Sequence, residues 1–217
     1  MSKLEWDQDG ERTFENGVEK GVLYPYNSGK YITGVAWNGL SKVTESPSGA
    51  EPSDFWADNR KYASIMSDEE FGGTIEAYSY PDEFGPCNGT DELSPGVKIH
   101  QQKRSKFGLS YVTKKGNDED GFDYGYSIHL VYGALASASQ KDYETENDSP
   151  NIMTLSWEFT TTKVSVAGMK PTSHLEIDST KVDADKLAAF EEILYGNDKT
   201  EARLPLPDEV ANFFEAA

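Results

Sequence analysis

Two hydrophobic periods run through this chain, and they predict different elements. The period of two is clearest where Tyr124, Tyr126, Ile128, Leu130, Tyr132 and Ala134 take the even positions and Gly125, Ser127, His129, Val131 and Gly133 take the odd ones. Such alternation predicts a strand, and glycines on its second face predict that something packs closely there. Phe107, Leu109, Tyr111 and Thr113 repeat the pattern. Met153, Leu155, Trp157 and Phe159 continue it on odd positions, whereas Thr162, Val164 and Val166 fall on even ones. A one-residue slip exchanges the two faces of a strand, so this inversion predicts a bulge or tight turn near Thr160 and Thr161. Shorter strand-like runs cover residues 22–24, 31–37, 60–66, 71–80 and 175–177.

The period of 3.6 appears over residues 183–195, where Leu187, Phe190, Ile193 and Leu194 make one apolar stripe. Asp183 stands at the N-cap position and Gly196 follows the last apolar residue, as start and stop signals. Pro207, Val210, Phe213 and Phe214 suit a short C-terminal helix. The sum is a mainly β protein: an antiparallel β-sandwich or barrel with one flanking α-helix and a short terminal one.

At 217 residues the chain suits one domain. Residues 1–20 read as a polar N-terminal arm, with only Leu4, Trp6, Phe14 and Val18 as large apolar groups. Residues 21–217 read as a single domain carrying long loops at about 45–58, 81–95 and 140–150. The first of these, rich in Pro and Ser, holds Phe55 and Trp56. Rings in such a segment either tuck into their own domain or meet a second subunit.

Charge narrows the function classes. There are 38 acidic against 20 basic residues, a net of −18, which argues against gripping nucleic acid or an anionic membrane. Lys98, Lys103, Arg104 and Lys106 form the densest basic patch. Cys87 is the single cysteine, so no intramolecular disulfide is available. No basic start followed by an apolar run predicts a signal peptide, and no apolar stretch approaches a membrane span. The expectation is a soluble product of a cytoplasm with no membrane anchor.

Candidate chemistry is sparse. His100, His129 and His174 stand far apart in sequence and read as surface or packing residues. The run from Asn117 to Asp123 has calcium-loop composition but the wrong register, and residues 27–31 lack the upstream glycine and the hydroxyl of a phosphate loop. The sequence therefore predicts no catalytic residues, no metal, no cofactor and no enzyme.

Several strings, in order, resemble the major tail (tail tube) proteins of long-tailed, non-contractile bacteriophages. They are Gly34-Val35-Ala36-Trp37-Asn38-Gly39-Leu40, the segment from Thr44 to Pro52, Ala57-Asp58-Asn59 to Tyr62, Thr74-Ile75-Glu76-Ala77-Tyr78, Phe107-Gly108-Leu109-Ser110-Tyr111, Asp123-Tyr124-Gly125-Tyr126, Lys170-Pro171-Thr172, Asp178-Ser179-Thr180-Lys181 and the segment from Ala202 to Pro207. The resemblance implies a β-sandwich or barrel whose subunits form hexameric rings stacked into a tube within the virion, assembled in the bacterial host cytoplasm. The partners it implies are other copies of the chain, a tape-measure protein, tail-end proteins, and phage DNA passing through without specific binding. Six copies would carry a formal charge of −108, six times −18, and an acidic bore would repel duplex DNA and let it slide. Glu76, Asp142, Glu144, Glu146 and Asp148 are the lumen candidates, and Phe55, Trp56, Lys98, Lys103, Arg104 and Lys106 the subunit-interface candidates. Two other readings remain open: the inner tube of a contractile tail or secretion machine, and a carbohydrate-binding β-sandwich module. A glycosidase would require a carboxylate pair that nothing in the sequence singles out.

Overall fold

The computed structural model describes residues 3–145 and 151–215. In chain order the strands are β1 (Phe14–Asn27), β2 (Lys30–Ile32), β3 (Val35–Ala36), β4 (Leu40–Glu45), β5 (Pro52–Ala57), β6 (Arg60–Met66), β7 (Gly72–Ala77), β8 (Asp91–Ser94), β9 (Val97–Ile99), β10 (Phe107–Asn117), β11 (Gly121–Ala136), β12 (Leu155–Thr160), β13 (His174–Asp178) and β14 (Arg203–Leu204). The helices are α1 (Ala184–Tyr195) and α2 (Pro207–Glu215).

Ten strands form one antiparallel network with the path β14-β2-β1-β10-β11-β12-β7-β4, and β13 and β3 join it at β11 and β1. The path is open at both ends, so the architecture is a sandwich with flanking helices and not a barrel. It folds into two layers because β11 changes partners along its length. Residues 127–131 pair with β13, whereas Leu135 and Ala136 pair with β12. Gly133 marks the change. Its φ is +62°, and a Cβ there would run into the Thr162 carbonyl. The bulge also shifts the register against β10, so Ala134 faces the same side as Val131. Here the glycine face predicted from sequence meets its neighbour, and Gly125 likewise lies under Ser179 and Thr180.

Each face of the central layer buries its own core. One face carries Leu23, Phe107, Leu109, Tyr111 and Val131 against Ile75, Ala77, Leu155, Trp157 and Phe159 of the second layer. Phe84 and Cys87, from the segment after β7, close this core. The other face carries Val22, Tyr24, Ile128, Leu130 and Tyr132 beneath Leu187, Phe190 and Leu194 of α1. Asp183 caps α1 by accepting from the Lys186 N–H at 3.0 Å, and Gly196 ends it at φ +77°. From α2, Phe213 and Phe214 pack on Phe190 with ring centroids 5.5 and 5.2 Å away. A strand buried on both faces reads as alternation only because one of its faces also holds glycine, serine and histidine.

Three expectations about connections need correction. Residues 45–58 are not wholly loop: Pro52–Ala57 is β5, which pairs with β6 as a separate two-stranded sheet. Asp58 (φ +50°) and Asn59 (φ +61°) are both left-handed, the backbone of a two-residue primed turn whose twist matches paired strands. Pro52 is tolerated because it opens a strand with a free edge. Residues 81–95 likewise contain β8, which turns through Pro95 and Gly96 (φ +82°) into β9. Residues 162–166 form no strand, only an isolated bridge from Val164 to Thr172. Thr162 instead donates its N–H to the Gly133 carbonyl at 3.0 Å, which is where the predicted phase inversion falls. Within the polar segment 1–20, Phe14 to Lys20 belongs to β1, and Phe14 packs edge-on against Phe122 at 5.3 Å.

Candidate functional site: an apolar hairpin above a histidine–carboxylate cluster

The β5–β6 hairpin displays large apolar side chains on both faces. Cross-strand register puts Phe55 beside Ala63 and Ser53 beside Ile65 on one face, and Trp56 and Pro52 with Met66 on the other. A bulge between Phe55 and Trp56 leaves Tyr62 as the extra residue. Exposures run from 52% for Phe55 through 59% for Ile65, 65% for Met66 and 68% for Trp56 to 76% for Tyr62. Polar contacts stiffen the ribbon: Asp54 accepts from Lys61 at 2.7 Å and from the Ser64 hydroxyl at 2.7 Å. Those two donors, Lys61 first, hold the Asp54 carboxyl below its usual range. With large apolar side chains on both faces, laying one face on its own domain would still leave those of the other exposed.

The basic patch does not act as a unit. Arg104 is engaged within the chain, its Nη1 donating to the carbonyls of Ala136 (3.2 Å), Ser137 (3.3 Å) and Cys87 (3.5 Å) and to Asn88 Oδ1 (3.5 Å). It ties the Cys87 segment to the end of β11. Lys106 donates to Thr162 Oγ1 at 2.8 Å, and Lys98 pairs with Asp82 at 2.9 Å. Lys103 is exposed and has no hydrogen-bond or ion-pair partner among the described residues. Of the acidic candidates, Glu76 lies on the outward face of β7 beside Lys42 at 3.3 Å. Asp142 accepts from Gln140 at 2.8 Å, and Glu144 is exposed outside any strand. Glu146 and Asp148 lie outside the described residues. Burial pushes the Cys87 thiol up to about 12, so it stays protonated and unreactive.

The structure gathers a cluster that sequence reasoning missed. Pairing of β11 with β13 sets His129 opposite Glu176 and Val131 opposite His174. Glu45, the last residue of β4, arrives from the other layer. His129 Nδ1 lies 3.3 Å from His174 Nε2 and 3.4 Å from Glu45 Oε1, and His174 Nε2 lies 3.8 Å from the same oxygen. Tyr111 donates its hydroxyl to Glu45 Oε1 at 2.6 Å and stacks on His129 at 4.7 Å. Phe71 stacks on His174 at 4.5 Å. His129 Nε2 meets Thr113 Oγ1 at 2.9 Å, and that hydroxyl donates to Glu15. Glu176 is held by Ser127 at 2.7 Å and Lys115 at 3.2 Å, and its carboxyl lies below the usual range, the Ser127 hydrogen bond being the largest cause. Burial lowers the His174 pKa, opposed by Glu45. Thus His129 and His174, read from sequence as surface or packing residues without partners, do pack, on Tyr111 and Phe71, but they are not separate: 45 positions apart in sequence, they touch. The available signal was His129 on the glycine- and serine-bearing face of a strand that is buried on both sides, but its partners lie on other strands.

No family model matches the chain, and no curated protein matches it. Among solved structures, a chain of the six-fold symmetrised anti-feeding prophage baseplate aligns over 84% of this chain and 100% of its own, with 11% identity and a TM-score of 0.35. A likeness that weak carries no argument about role. No helix among the described residues is long and apolar enough to cross a membrane.

Proposed function

We propose that this chain is a structural virion subunit that self-assembles into hexameric rings stacked as a tail tube, an acidic conduit for DNA, and that it does no bond-making chemistry. The observation that carries the reading is the β5–β6 hairpin, with five large apolar side chains more than half exposed on its two faces and in its bulge. A two-stranded ribbon is marginal alone, and apolar surface of this kind marks a contact with another protein. A second copy is the partner the sequence resemblance implies. The open ends of the sheet path add unpaired backbone at β4, which suits edge-to-edge pairing. The net charge of −18 opposes close approach of copies, so screening by salt should favour assembly.

Concentrating the purified protein through a salt series, with sedimentation and negative-stain microscopy, tests this. Rings or tubes with a six-fold end view are expected. A chain that stays monomeric at every concentration and ionic strength overturns the reading.

A further inference from the structure

We infer that Glu45, His129 and His174 form a binding site for one divalent transition-metal ion of the zinc class. The inference goes beyond the assembly reading and does not depend on it.

Three lone-pair atoms converge: His129 Nδ1, His174 Nε2 and Glu45 Oε1, separated by 3.3, 3.4 and 3.8 Å. The circle through three points with those separations has a radius of about 2.0 Å, which is the length of zinc bonds to imidazole nitrogen and carboxylate oxygen. Seen from its centre, the two nitrogens subtend about 110° and the nitrogen–oxygen pairs about 115° and 140°, a planar arrangement that a tetrahedral zinc would tighten by shortening the 3.8 Å edge. The imidazole edges face each other across one side of that triangle. Their planes differ by 4° and their centroids lie 5.5 Å apart. With nitrogens 3.3 Å apart, that spacing places the rings edge to edge, nitrogen facing nitrogen, and not face over face. Such a pair needs a cation or a shared proton between its lone pairs.

The surroundings match what holds a metal ligand in place. The second nitrogen of His129 is fixed from its far side by Thr113, itself backed by Glu15, while Tyr111 donates to the same Glu45 Oε1 that faces the histidines and so holds that oxygen in place. Hydrogen bonds to the far side of ligating residues are the usual means of orienting them. Aromatic rings flank the imidazoles, Tyr111 on His129 and Phe71 on His174. His174 also lines an open cleft of about 660 Å³ together with Met66, Asp68, Phe71 and Lys170, so one ligand of the site borders solvent-accessible space. Two histidines and one carboxylate are a recognised zinc set. The site would join β4 of one layer to β11 and β13 of the other, at the foot of the exposed hairpin.

The test uses the full chain, stripped with a chelator and then titrated with Zn²⁺ against a chromophoric chelator at neutral pH. The expected result is one tight equivalent per chain with a rise in melting temperature. His174→Gln and Glu45→Gln should each lose that equivalent while keeping the metal-free melting temperature of the parent. Thr113→Val, which leaves all three ligands, should weaken binding roughly 10- to 100-fold. Only weak, multi-equivalent uptake, or a tight equivalent that survives His174→Gln, overturns the assignment and leaves the pair joined by a proton alone.

Discussion

Replacing Trp56 with serine separates assembly from folding. Trp56 is 68% exposed and lies on a ribbon that shares no sheet with the core, so its loss should change monomer stability by no more than about 0.5 kcal/mol. A tryptophan side chain offers ~150–250 Å². At this exposure roughly 100–170 Å² remains for a partner to cover, which at ~25 cal/mol per Å² amounts to about 2.5–4 kcal/mol. Ordering the side chain costs ~0.5–1.5 kcal/mol of that, leaving about 1–3.5 kcal/mol per contact, or roughly a 5- to 350-fold weaker association. Light scattering over a dilution series reads this as a rise of that order in the concentration at which rings or tubes appear. The melting temperature of the dilute monomer should move by no more than about 1–2 °C. If Trp56→Ser assembles at the parent concentration, the hairpin is not the contact and the reasoning from its exposure is wrong.

The remaining predictions concern the fold that carries the hairpin. Replacing residues 52–66 with a short Gly-Ser turn should abolish assembly yet leave the circular dichroism of the core and its melting temperature nearly intact; loss of the folded monomer would refute the hairpin's independence. Arg104→Ala should lower monomer stability by about 1–2 kcal/mol in a thermal melt, because four acceptors lose a charged donor; an unchanged melt would return Arg104 to the pool of free interface cations. Gly133→Ala should cost about 2 kcal/mol or more in denaturant unfolding, since the left-handed backbone and the Thr162 carbonyl both oppose a Cβ. Burial raises the pKa of Asp178, but Thr180 and Lys115 outweigh it and hold the carboxyl at about 2 against 3.8 for the free group. Its folded pKa being the lower, Asp178 stabilises the protein above pH 3.8 and stops doing so as pH falls to about 2. Discounted for solvent, that is ~1–2 kcal/mol, and Asp178→Asn should erase this part of the acid-unfolding slope.

The legible part of this fold was local. The stripe of Leu187, Phe190 and Leu194 and the signals at Asp183 and Gly196 describe a helix within one segment, and the helix is there. Alternation in 124–134 predicted a strand, and the glycines on its second face predicted a close approach, because both effects act on neighbouring residues; that Gly133 is also a bulge was not read. The β5 strand escaped for the opposite reason. Prolines and serines outweighed the Asp58–Asn59 turn in a reading by composition, and no burial enforced its alternation. The histidine cluster escaped because spacing in sequence says nothing about spacing across a ladder. Glu45, His129 and His174 come from three strands, two of which join only through the change of partners along β11.

The two cores explain why an assembly contact would be left to hairpins. Both faces of the central layer are already covered, by the second layer on one side and by α1 and α2 on the other. Both cores close within one chain, so the proposed assembly would add contacts to a fold whose main burial is already made. The β5–β6 ribbon holds the densest group of uncovered apolar side chains, five within fifteen residues, with Leu93 and Val97 on the smaller β8–β9 ribbon and others scattered, among them Leu4, Trp6, Tyr143, Ile152 and Met169. Contacts made by such ribbons add to a finished fold and do not complete it. Copies charged at −18 each would then remain dispersed while dilute and join only where apolar ribbon surface outweighs their repulsion. That balance shifts with salt and concentration, not with the integrity of the core.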